Sequence, residues 1–278
     1  MTSMELVADA ADRLAAAGVP AAGREARLLL RAVASVDARL HPLAEIPAEV
    51  AGAYAAVVER RARREPYAYI TGRREFFGLS LEVDRHVLIP RPETELLVER
   101  ALALAPRGAM TCDLCTGSGA VALALAAQRP DLQLTATDIS GEALSVAERN
   151  ARRLGLRLRL FAGDLWAALP ASDRGTLDLC TCNPPYVDAA DWLGLDPEVR
   201  SWEPRQALVP PEGWGCFLHR LVAGAAEWLK PGGWLLAEVG VGQALAAGDL
   251  FVRNGLTEVR SHHDLAGIPR VIEGRRVR

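Results

Sequence analysis

The chain has 278 residues, of which 50% are hydrophobic, and a formal net charge of -3. A chain of this length can bury a large core and is expected to form two domains. It contains no apolar run near the ~20 residues of a membrane span and no basic N-terminal stretch followed by a hydrophobic one, so we expect a soluble, cytoplasmic protein. The near-balanced charge gives no general field that would attract nucleic acid.

The first 72 residues have the spacing of a small helical bundle and carry no strand pattern. An apolar stripe marks a first helix that Gly18 ends, and a second helix extends from about 20 to 33. Pro47 is suited to the first turn of a third helix, which ends before Pro66. We therefore predict an all-α domain over residues 1–72.

Residues 73–90 change to the alternation that is typical of a β-hairpin. Apolar residues alternate over 79–83 on a first strand, and a turn at 84–86 leads to a second strand at 87–89. We expect this hairpin to link the helical domain to the rest of the chain.

Residues 91–278 alternate helices with apolar strands, which indicates a mainly parallel sheet covered on both faces. Strands are expected at about 109–114, 132–137, 157–161, 176–181, 233–239, 256–261 and 271–277. Helices are expected near 92–105, 119–128, 140–154, 212–229 and 241–253. Sites in such α/β sheets form beyond the carboxyl ends of the strands, and the two most informative motifs both end strands.

The first motif, residues 113–119, reads Asp-Leu-Cys-Thr-Gly-Ser-Gly after the first strand. Its glycines allow a tight turn that brings backbone N–H groups close to a ligand. Asp138 ends the next strand, where a carboxylate can accept hydrogen bonds from both hydroxyls of a ribose. The motif predicts a cofactor of the adenosine type and leaves NAD and S-adenosylmethionine open. From the residues alone, the predicted contacts are Asp113, Gly117, Ser118, Gly119 and Asp138.

Three acidic or aromatic side chains bear on the choice of cofactor. Asp113 would repel the pyrophosphate of NAD but can help to hold a cofactor with an amino group and a sulfonium. After the third strand, Trp166 could lie against an adenine ring and Asp164 could accept from its amino group. Each also has a structural interpretation, because Asp138 and Asp164 could be helix caps and Trp166 an ordinary packing residue.

The second motif is Asn183-Pro184-Pro185-Tyr186, at the end of the fourth strand. An amide or aromatic amine is a poor nucleophile because its lone pair is delocalised, so a site that methylates it must position it well. The Asn183 side chain and the Pro184 main chain each offer a carbonyl that can accept one N–H of the acceptor. Pro185 stiffens the backbone further, and Tyr186 could stack on a flat acceptor. The alternative is a strand-ending turn with a packed tyrosine.

The five cysteines allow two interpretations. Cys112, Cys115, Cys180 and Cys182 could be imagined as four zinc ligands. However, Cys112 and Cys180 fall in predicted buried strands, where cysteine behaves as a small apolar residue. The odd count also argues for free thiols, and we predict no metal site.

Taken together, the motifs resemble those of the HemK/PrmC family, the protein-(glutamine-N5) methyltransferases that modify class 1 peptide chain release factors. The resemblance extends over nearly the whole chain, and Ile89-Pro90-Arg91-Pro92-Glu93-Thr94-Glu95 is more discriminating than Asn-Pro-Pro-Tyr. It implies a Rossmann-like class I methyltransferase domain over 91–278, with S-adenosylmethionine as cofactor. The implied acceptor is the side-chain amide of the glutamine in a Gly-Gly-Gln loop.

The resemblance also implies roles for individual residues. Cofactor contacts carry over to the loop from Cys115 to Gly119 and to Asp138, Trp166 and Asn183, and acceptor contacts carry over to Asn183, Pro184, Pro185 and Tyr186. The helical domain is implied to grip the release factor. Glu93 is a candidate substrate contact, although Arg91 and Glu93 could either order the substrate loop or tie the domains together. We expect a monomer, because no coiled-coil heptads appear.

Three places depart from the family pattern, and one of them is Ile268-Pro269-Arg270, which breaks the usual polar ending near the last hairpin. Cys115 stands where the family usually has glycine, and if the backbone there needs a positive φ, the side chain costs roughly 1–2 kcal/mol. Thr181-Cys182 stands where a small or apolar pair is usual. These departures bear on cofactor affinity and leave the predicted reaction unchanged.

Two other functions are compatible with the motifs. The same clamp fits the exocyclic nitrogen of adenine in DNA or RNA, but the near-neutral N-terminal domain and the low aromatic content speak against a flipped base. Cys115 also makes a non-catalytic, cofactor-binding scaffold for a translation factor conceivable.

Overall fold

The computed structural model describes residues 1–277 and divides the chain into two compact units. One unit contains Met1–Arg73 and Leu195–Trp202, and the other contains Arg74–Gly194 and the chain from Glu203 onward. No helix among the described residues is both long and apolar enough to cross a membrane.

The structure contains ten α-helices, nine strands and five short 3₁₀ helices among the described residues. The α-helices are α1 Ser3–Ala16, α2 Ala22–Ala34, α3 Ala48–Ala62, α4 Tyr67–Thr71, α5 Glu95–Leu104, α6 Ala120–Gln128, α7 Gly141–Leu154, α8 Pro197–Trp202, α9 Trp214–Trp228 and α10 Ala244–Arg253. The strands are β1 Arg73–Phe76, β2 Leu79–Glu82, β3 Met110–Leu114, β4 Gln133–Asp138, β5 Arg159–Ala162, β6 Leu177–Cys182, β7 Leu229–Glu238, β8 Leu256–His263 and β9 Pro269–Arg276. Short 3₁₀ helices lie at Pro92–Thr94, Leu165–Ala168, Ala171–Asp173, Trp192–Gly194 and Arg205–Ala207.

The first unit is helical, as the spacing predicts. Thr2 and Glu5 form a capping box at the start of α1, which satisfies N–H groups that a helix leaves free. Arg61 of α3 is only 5% exposed and makes ion pairs of 2.9 Å with Glu25 of α2 and with Glu198 of α8. A buried guanidinium needs such partners, because leaving it unpaired in a core is strongly unfavourable. These contacts explain why α8 belongs to the helical unit.

The predicted hairpin exists, but its strand assignment was partly wrong. β1 and β2 form a two-stranded sheet, and the residues between them, Phe77 and Gly78, have φ values of 47° and 75°. Residues 87–89 are not a strand. The backbone N–H of Ile89 donates to a carboxylate oxygen of Glu203 at 3.2 Å, so a side chain takes the place of a strand partner there. The alternation of apolar residues cannot show whether the backbone N–H groups of an extended segment bond to a neighbouring strand or to a side chain.

The large sheet has seven strands in the order β5-β4-β3-β6-β7-β9-β8, and β9 runs antiparallel to both of its neighbours. The seven predicted strands and the class I methyltransferase architecture are confirmed. From β3 the chain first adds β4 and β5 on one side and then returns to place β6 on the other side. The crevice at the carboxyl ends of β3 and β6 is therefore the topological switch point, where open α/β sheets bind ligands.

Candidate active site

A cavity of about 280 Å³ lies at this switch point. It combines the glycine loop after β3, the ends of β4 and β6, and the segment that precedes α5. The predicted site residues that line it are Asp113, Cys115, Thr116, Gly117, Ser118, Asp138, Asp164, Asn183 and Pro185. Apolar walls come from Val87, Leu88, Ile139, Leu165 and Phe217. Such a mixture of apolar walls and a few convergent polar groups is typical of a cofactor site.

The glycine loop has the conformation that the motif predicts. Cys115, Gly117 and Gly119 have φ values of 58°, 55° and 82°. Cys115 therefore occupies the left-handed region with a full side chain, which costs roughly 1–2 kcal/mol relative to a residue without a Cβ. All five cysteines are free thiols, and the partly buried Cys115 packs against the buried cluster that contains Cys182.

Gly119 has a packing role, and its predicted cofactor contact stays a prediction. It does not line the cavity, and its N–H donates to the Thr116 carbonyl at 2.9 Å. A Cβ built on Gly119 would lie 3.0 Å from Leu123 Cδ1 and 3.2 Å from Ala147 Cβ. The glycine is needed because α6 and α7 approach the loop closely at this point.

Asp113 is almost completely buried beneath the loop, with 1% of its surface exposed. Its carboxylate accepts hydrogen bonds from the hydroxyl groups of Thr116 at 2.6 Å and of Thr181 at 2.8 Å. Burial raises the pKa of Asp113 to about 6, although both hydroxyls lower it. The unusual Thr181 is thus a partner of the acidic group, and a cationic ligand in the cavity would favour the ionised carboxylate.

Asp138 braces the loop as well as lining the cavity. Its two oxygens accept from the backbone N–H groups of Gly117 at 2.8 Å and of Ser140 at 2.9 Å. Burial raises the pKa of Asp138, and these backbone hydrogen bonds lower it. Each carboxylate oxygen retains a lone pair for a ligand hydroxyl, so the predicted ribose contact is compatible with this bracing role.

The two predicted adenine contacts, Asp164 and Trp166, lie in different surroundings. Asp164 lines the cavity and forms an ion pair with Arg220, another lining residue. Trp166 is not among the residues that line the cavity, and its predicted adenine contact stays a prediction. It is buried and stacked on Trp228 at a centroid distance of 6.2 Å, and its Nε1 donates to the Leu221 carbonyl at 2.8 Å. The single donor of the Trp166 ring is thus satisfied inside the core.

The acceptor motif ends β6 beside the cavity. Asn183 Nδ2 donates to Thr94 Oγ1 at 3.2 Å, an arrangement that leaves the Asn183 carbonyl oxygen free for another donor. Pro184 is buried, and the Tyr186 carbonyl accepts from Gln243 Nε2 at 2.9 Å. Neither Pro184 nor Tyr186 lines the cavity, and burial raises the pKa of Tyr186 to about 12.

Arg91 and Glu93 take different positions next to this motif. Arg91 lines the cavity and makes a 2.6 Å ion pair with the buried Glu203, whose pKa is raised by burial and lowered by this arginine. Glu93 is partly buried and does not line the cavity, but its charge raises the pKa of Tyr186. Arg91 thus holds the segment around Glu203 against the cavity wall.

Several supporting residues were missed in the sequence. Asn150 of α7 is fully buried and bonds the backbone of Glu82 twice, at 2.6 and 2.9 Å, and the Ser118 carbonyl at 3.0 Å. Asn150 thus joins β2 to the glycine loop. The only indication of this role in the sequence was a polar residue on the apolar face of a predicted helix. Thr94 was visible only as part of the Ile-Pro-Arg-Pro-Glu-Thr-Glu segment.

Known proteins match the chain over both units. Residues 5–72 match the family model of the PrmC N-terminal domain, and residues 92–193 match that of the methyltransferase small domain. A release factor glutamine methyltransferase of Cereibacter sphaeroides is 42% identical over 281 residues, covering 99% of this chain and 99% of that protein. The chain belongs to the release factor glutamine methyltransferase family. The resemblance inferred from the motifs is thereby confirmed.

Other relatives agree with this membership. A release factor glutamine methyltransferase of Geobacter sulfurreducens is 45% identical over 219 residues, covering 79% of this chain and 76% of that protein. Among solved structures, a methyltransferase from Pyrococcus furiosus matches with a TM-score of 0.56 and 18% identity, covering 79% of this chain and 99% of that one. At this identity the structural likeness supports the fold alone.

Proposed function

We propose that the protein transfers a methyl group from S-adenosylmethionine to the side-chain amide nitrogen, N5, of the glutamine in the Gly-Gly-Gln motif of class 1 peptide chain release factors. One observation carries the proposal. The Asn183 amide is oriented by Thr94 beside a cavity built on a cofactor loop, in a member of the release factor glutamine methyltransferase family.

The residues of the cavity fit the proposed cofactor. Asp113 places a carboxylate under the loop, where it suits a ligand that carries positive charge. Asp138 can accept from ribose hydroxyls, and Leu165 with Phe217 offers apolar surface to a flat base. When bound, S-adenosylmethionine supplies an electrophilic methyl group on a sulfonium centre.

The chain's own residues position the acceptor. Because the Asn183 amide group donates to Thr94, its carbonyl oxygen accepts one N–H of the glutamine amide, and the Pro184 main-chain carbonyl accepts the other. Holding both N–H groups orients the nitrogen lone pair and removes the reorganisation that a free amide would need. No strong base is required, because an amide nitrogen becomes acidic once it is methylated.

We assign recognition of the release factor to the helical residues 1–72. Their ion pairs, such as that between Arg13 and Glu59, give a mixed surface charge that suits a protein partner better than duplex DNA. The protein acts as a monomer in the cytoplasm, where its substrate is found.

The test uses S-adenosylmethionine labelled in the methyl group and three substrates in parallel. They are a class 1 release factor, the same factor with its Gly-Gly-Gln glutamine replaced by alanine, and an adenine-containing RNA and DNA pair. Label should enter only the first. Label in nucleic acid would establish the base-methylating alternative, and no label anywhere would favour the scaffold alternative.

A further inference from the structure

Helix α2 carries a row of arginines along one side. Arg24, Arg27 and Arg31 are separated by three and four residues, a spacing that places side chains on the same side of an α-helix. We call these three residues the arginine face. They take part in a surface depression of about 300 Å³ that is lined by Arg24, Arg27, Leu28, Arg31, Asp37 and Arg39.

The arginine face has no ion-pair partner among residues 1–277. By contrast, Arg13 of α1 and both Arg60 and Arg61 of α3 are paired with glutamates. Residues 1–72 contain equal numbers of acidic and basic side chains, so an excess of arginine does not explain the missing partners. The balanced charge of the helical domain therefore includes a local surplus of positive charge on α2.

This surplus opposes the helix that carries it. Arg24 and Arg27 are three residues apart, Arg27 and Arg31 are four apart, and like charges at these spacings repel each other on a helix. Arg24 is also the third residue of α2, where the partial positive charge of the helix N-terminus disfavours a cation. None of the three belongs to the buried residues of α2, which are all apolar. A negatively charged partner would relieve this repulsion.

The depression suits the carboxylate groups of a protein. Asp37 already accepts from Arg39 through both of its oxygens, from Nε at 3.3 Å and from Nη2 at 2.9 Å, so these two charges neutralise each other. The remaining charge is that of the arginine face, whose guanidinium groups can each bind a carboxylate through two parallel hydrogen bonds. Leu28 lines the same depression and offers an apolar contact.

Nucleic acid fits this surface less well. The carboxylate of Asp37 would repel the closely spaced phosphates of a nucleic-acid strand. None of the described residues that line the depression is aromatic, so it offers no ring on which a base could stack. Proteins that bind duplex DNA also neutralise many phosphates, whereas the arginine face has three unpaired cations. The charge and the lining residues therefore favour an acidic protein segment.

We propose that the arginine face binds an acidic segment of the release factor. The inference rests on the proposed function and deepens it, because it names the surface of the helical domain that recognises the substrate and the chemistry of its partner. The Gly-Gly-Gln motif has no acidic side chain, so the acidic segment belongs to another part of the release factor. Charged contacts away from the reacting groups change the encounter and the affinity, so they act on KM for the release factor and leave kcat unchanged.

The experiment measures the rate of release factor methylation by the wild type and two triple variants. The face variant carries Arg24→Gln, Arg27→Gln and Arg31→Gln. The control variant carries the same change at three exposed arginines outside residues 1–72 that also lack an ion pair among the described residues, Arg107→Gln, Arg157→Gln and Arg253→Gln. Both variants change the net charge equally, so a general electrostatic effect would appear in both.

Three further measurements accompany the rates. The rates are repeated between about 50 and about 300 mM NaCl, because salt screens exposed charges. Binding of the release factor is measured by calorimetry with S-adenosylhomocysteine present, and binding of a labelled RNA oligonucleotide is measured by fluorescence anisotropy. Urea unfolding gives the stability of each variant.

We expect the face variant to raise KM for the release factor about tenfold at low salt, since each exposed ion pair contributes about twofold. Its kcat and its KM for S-adenosylmethionine should not change. The wild-type KM for the release factor should rise with salt towards that of the face variant, and the control variant should behave like the wild type. The urea midpoint of the face variant should not fall, because the substitutions remove repulsion.

Three results would overturn the proposal. One is an unchanged KM for the release factor in the face variant, whether or not RNA binding is lost. Another is an equal rise of this KM in the control variant. The third is a rise that accompanies a lower urea midpoint, which would show that the arginines support the fold. A wild-type protein that binds the release factor without methylating it would instead overturn the proposed function, and calorimetry would still test the arginine face.

Discussion

Gly117 and Gly119 form a matched pair for separating cofactor binding from folding. Both have a positive φ, 55° and 82°, but their surroundings differ. A Cβ on Gly117 meets nothing within 4 Å, and this residue lines the cavity. A Cβ on Gly119 meets Leu123 and Ala147 at 3.0 and 3.2 Å, and this residue does not line the cavity.

The expected changes in the free energy of unfolding follow from these contacts. An alanine in the left-handed region costs roughly 1–2 kcal/mol, and the stiffer unfolded chain returns about 0.4–1 kcal/mol of this. Gly117→Ala should therefore destabilise the protein by about 1 kcal/mol. Gly119→Ala adds overpacking of about 1–3 kcal/mol, because Ala147 Cβ belongs to a packed helix that has to shift. Its total is about 2–4 kcal/mol.

Urea unfolding and calorimetric titration with S-adenosylmethionine measure the two effects separately. Gly117→Ala should lose at least tenfold in cofactor affinity, because its methyl group projects into the cavity. Gly119→Ala should lose more stability than Gly117→Ala. Without urea, where this variant is still folded, its affinity for S-adenosylmethionine should stay within a few fold of the wild type. Equal destabilisation of the two variants, or unchanged affinity in Gly117→Ala, would refute this account of the loop.

Three further predictions concern single residues. Asn183→Ala should reduce kcat by at least 100-fold, or about 2.7 kcal/mol, while the urea midpoint stays within error, and a fully active variant would contradict the clamp. Cys115→Gly should be more stable than Cys115→Ala by about 0.5–1 kcal/mol in urea, because φ is 58° and only glycine adopts it without strain. Burial raises the pKa of Asp113 in the folded state from the usual 3.8 to about 6. The folded state therefore binds this proton more tightly than the unfolded state, and stability falls as the pH rises between those values. Urea titrations at pH 4 and 7 should show that Asp113→Asn reduces this fall by up to about 3 kcal/mol, and an unchanged difference would contradict the assignment.

The regular features of this chain could be predicted from its sequence. The strands β3, β4 and β6 are apolar runs bounded by turn residues, and both motifs end such strands, so periodicity and chain order were enough to bring them to one sheet edge. These are local properties, and the sequence encodes them locally. The sign of φ at Cys115 was left open by the sequence, which gave only the cost of a positive value, and the structure has φ of 58° there.

The unpredicted features depend on contacts between distant segments. The indole of Trp166 donates to the Leu221 carbonyl, 55 positions away, and no local pattern in the sequence indicates that bond. Asn150 hydrogen-bonds the backbone of β2, and Thr94 accepts a hydrogen bond from Asn183 of the acceptor motif. Both partners are distant in the sequence. The predicted second strand of the hairpin, 87–89, was wrong. This segment has no strand partner, and the Ile89 N–H donates to the side chain of Glu203 instead. Side-chain hydrogen bonds between distant segments produce no periodic pattern in the sequence.

The most direct test of the central claim is peptide mapping by mass spectrometry of a class 1 release factor after incubation with the protein and S-adenosylmethionine. The account predicts the added mass of one methylene group on the peptide that contains Gly-Gly-Gln, with fragment ions that place it on the glutamine side chain. It also predicts no added mass with Asn183→Ala. Modification of any other residue, or an unmodified glutamine with the fully folded wild type, would contradict the account.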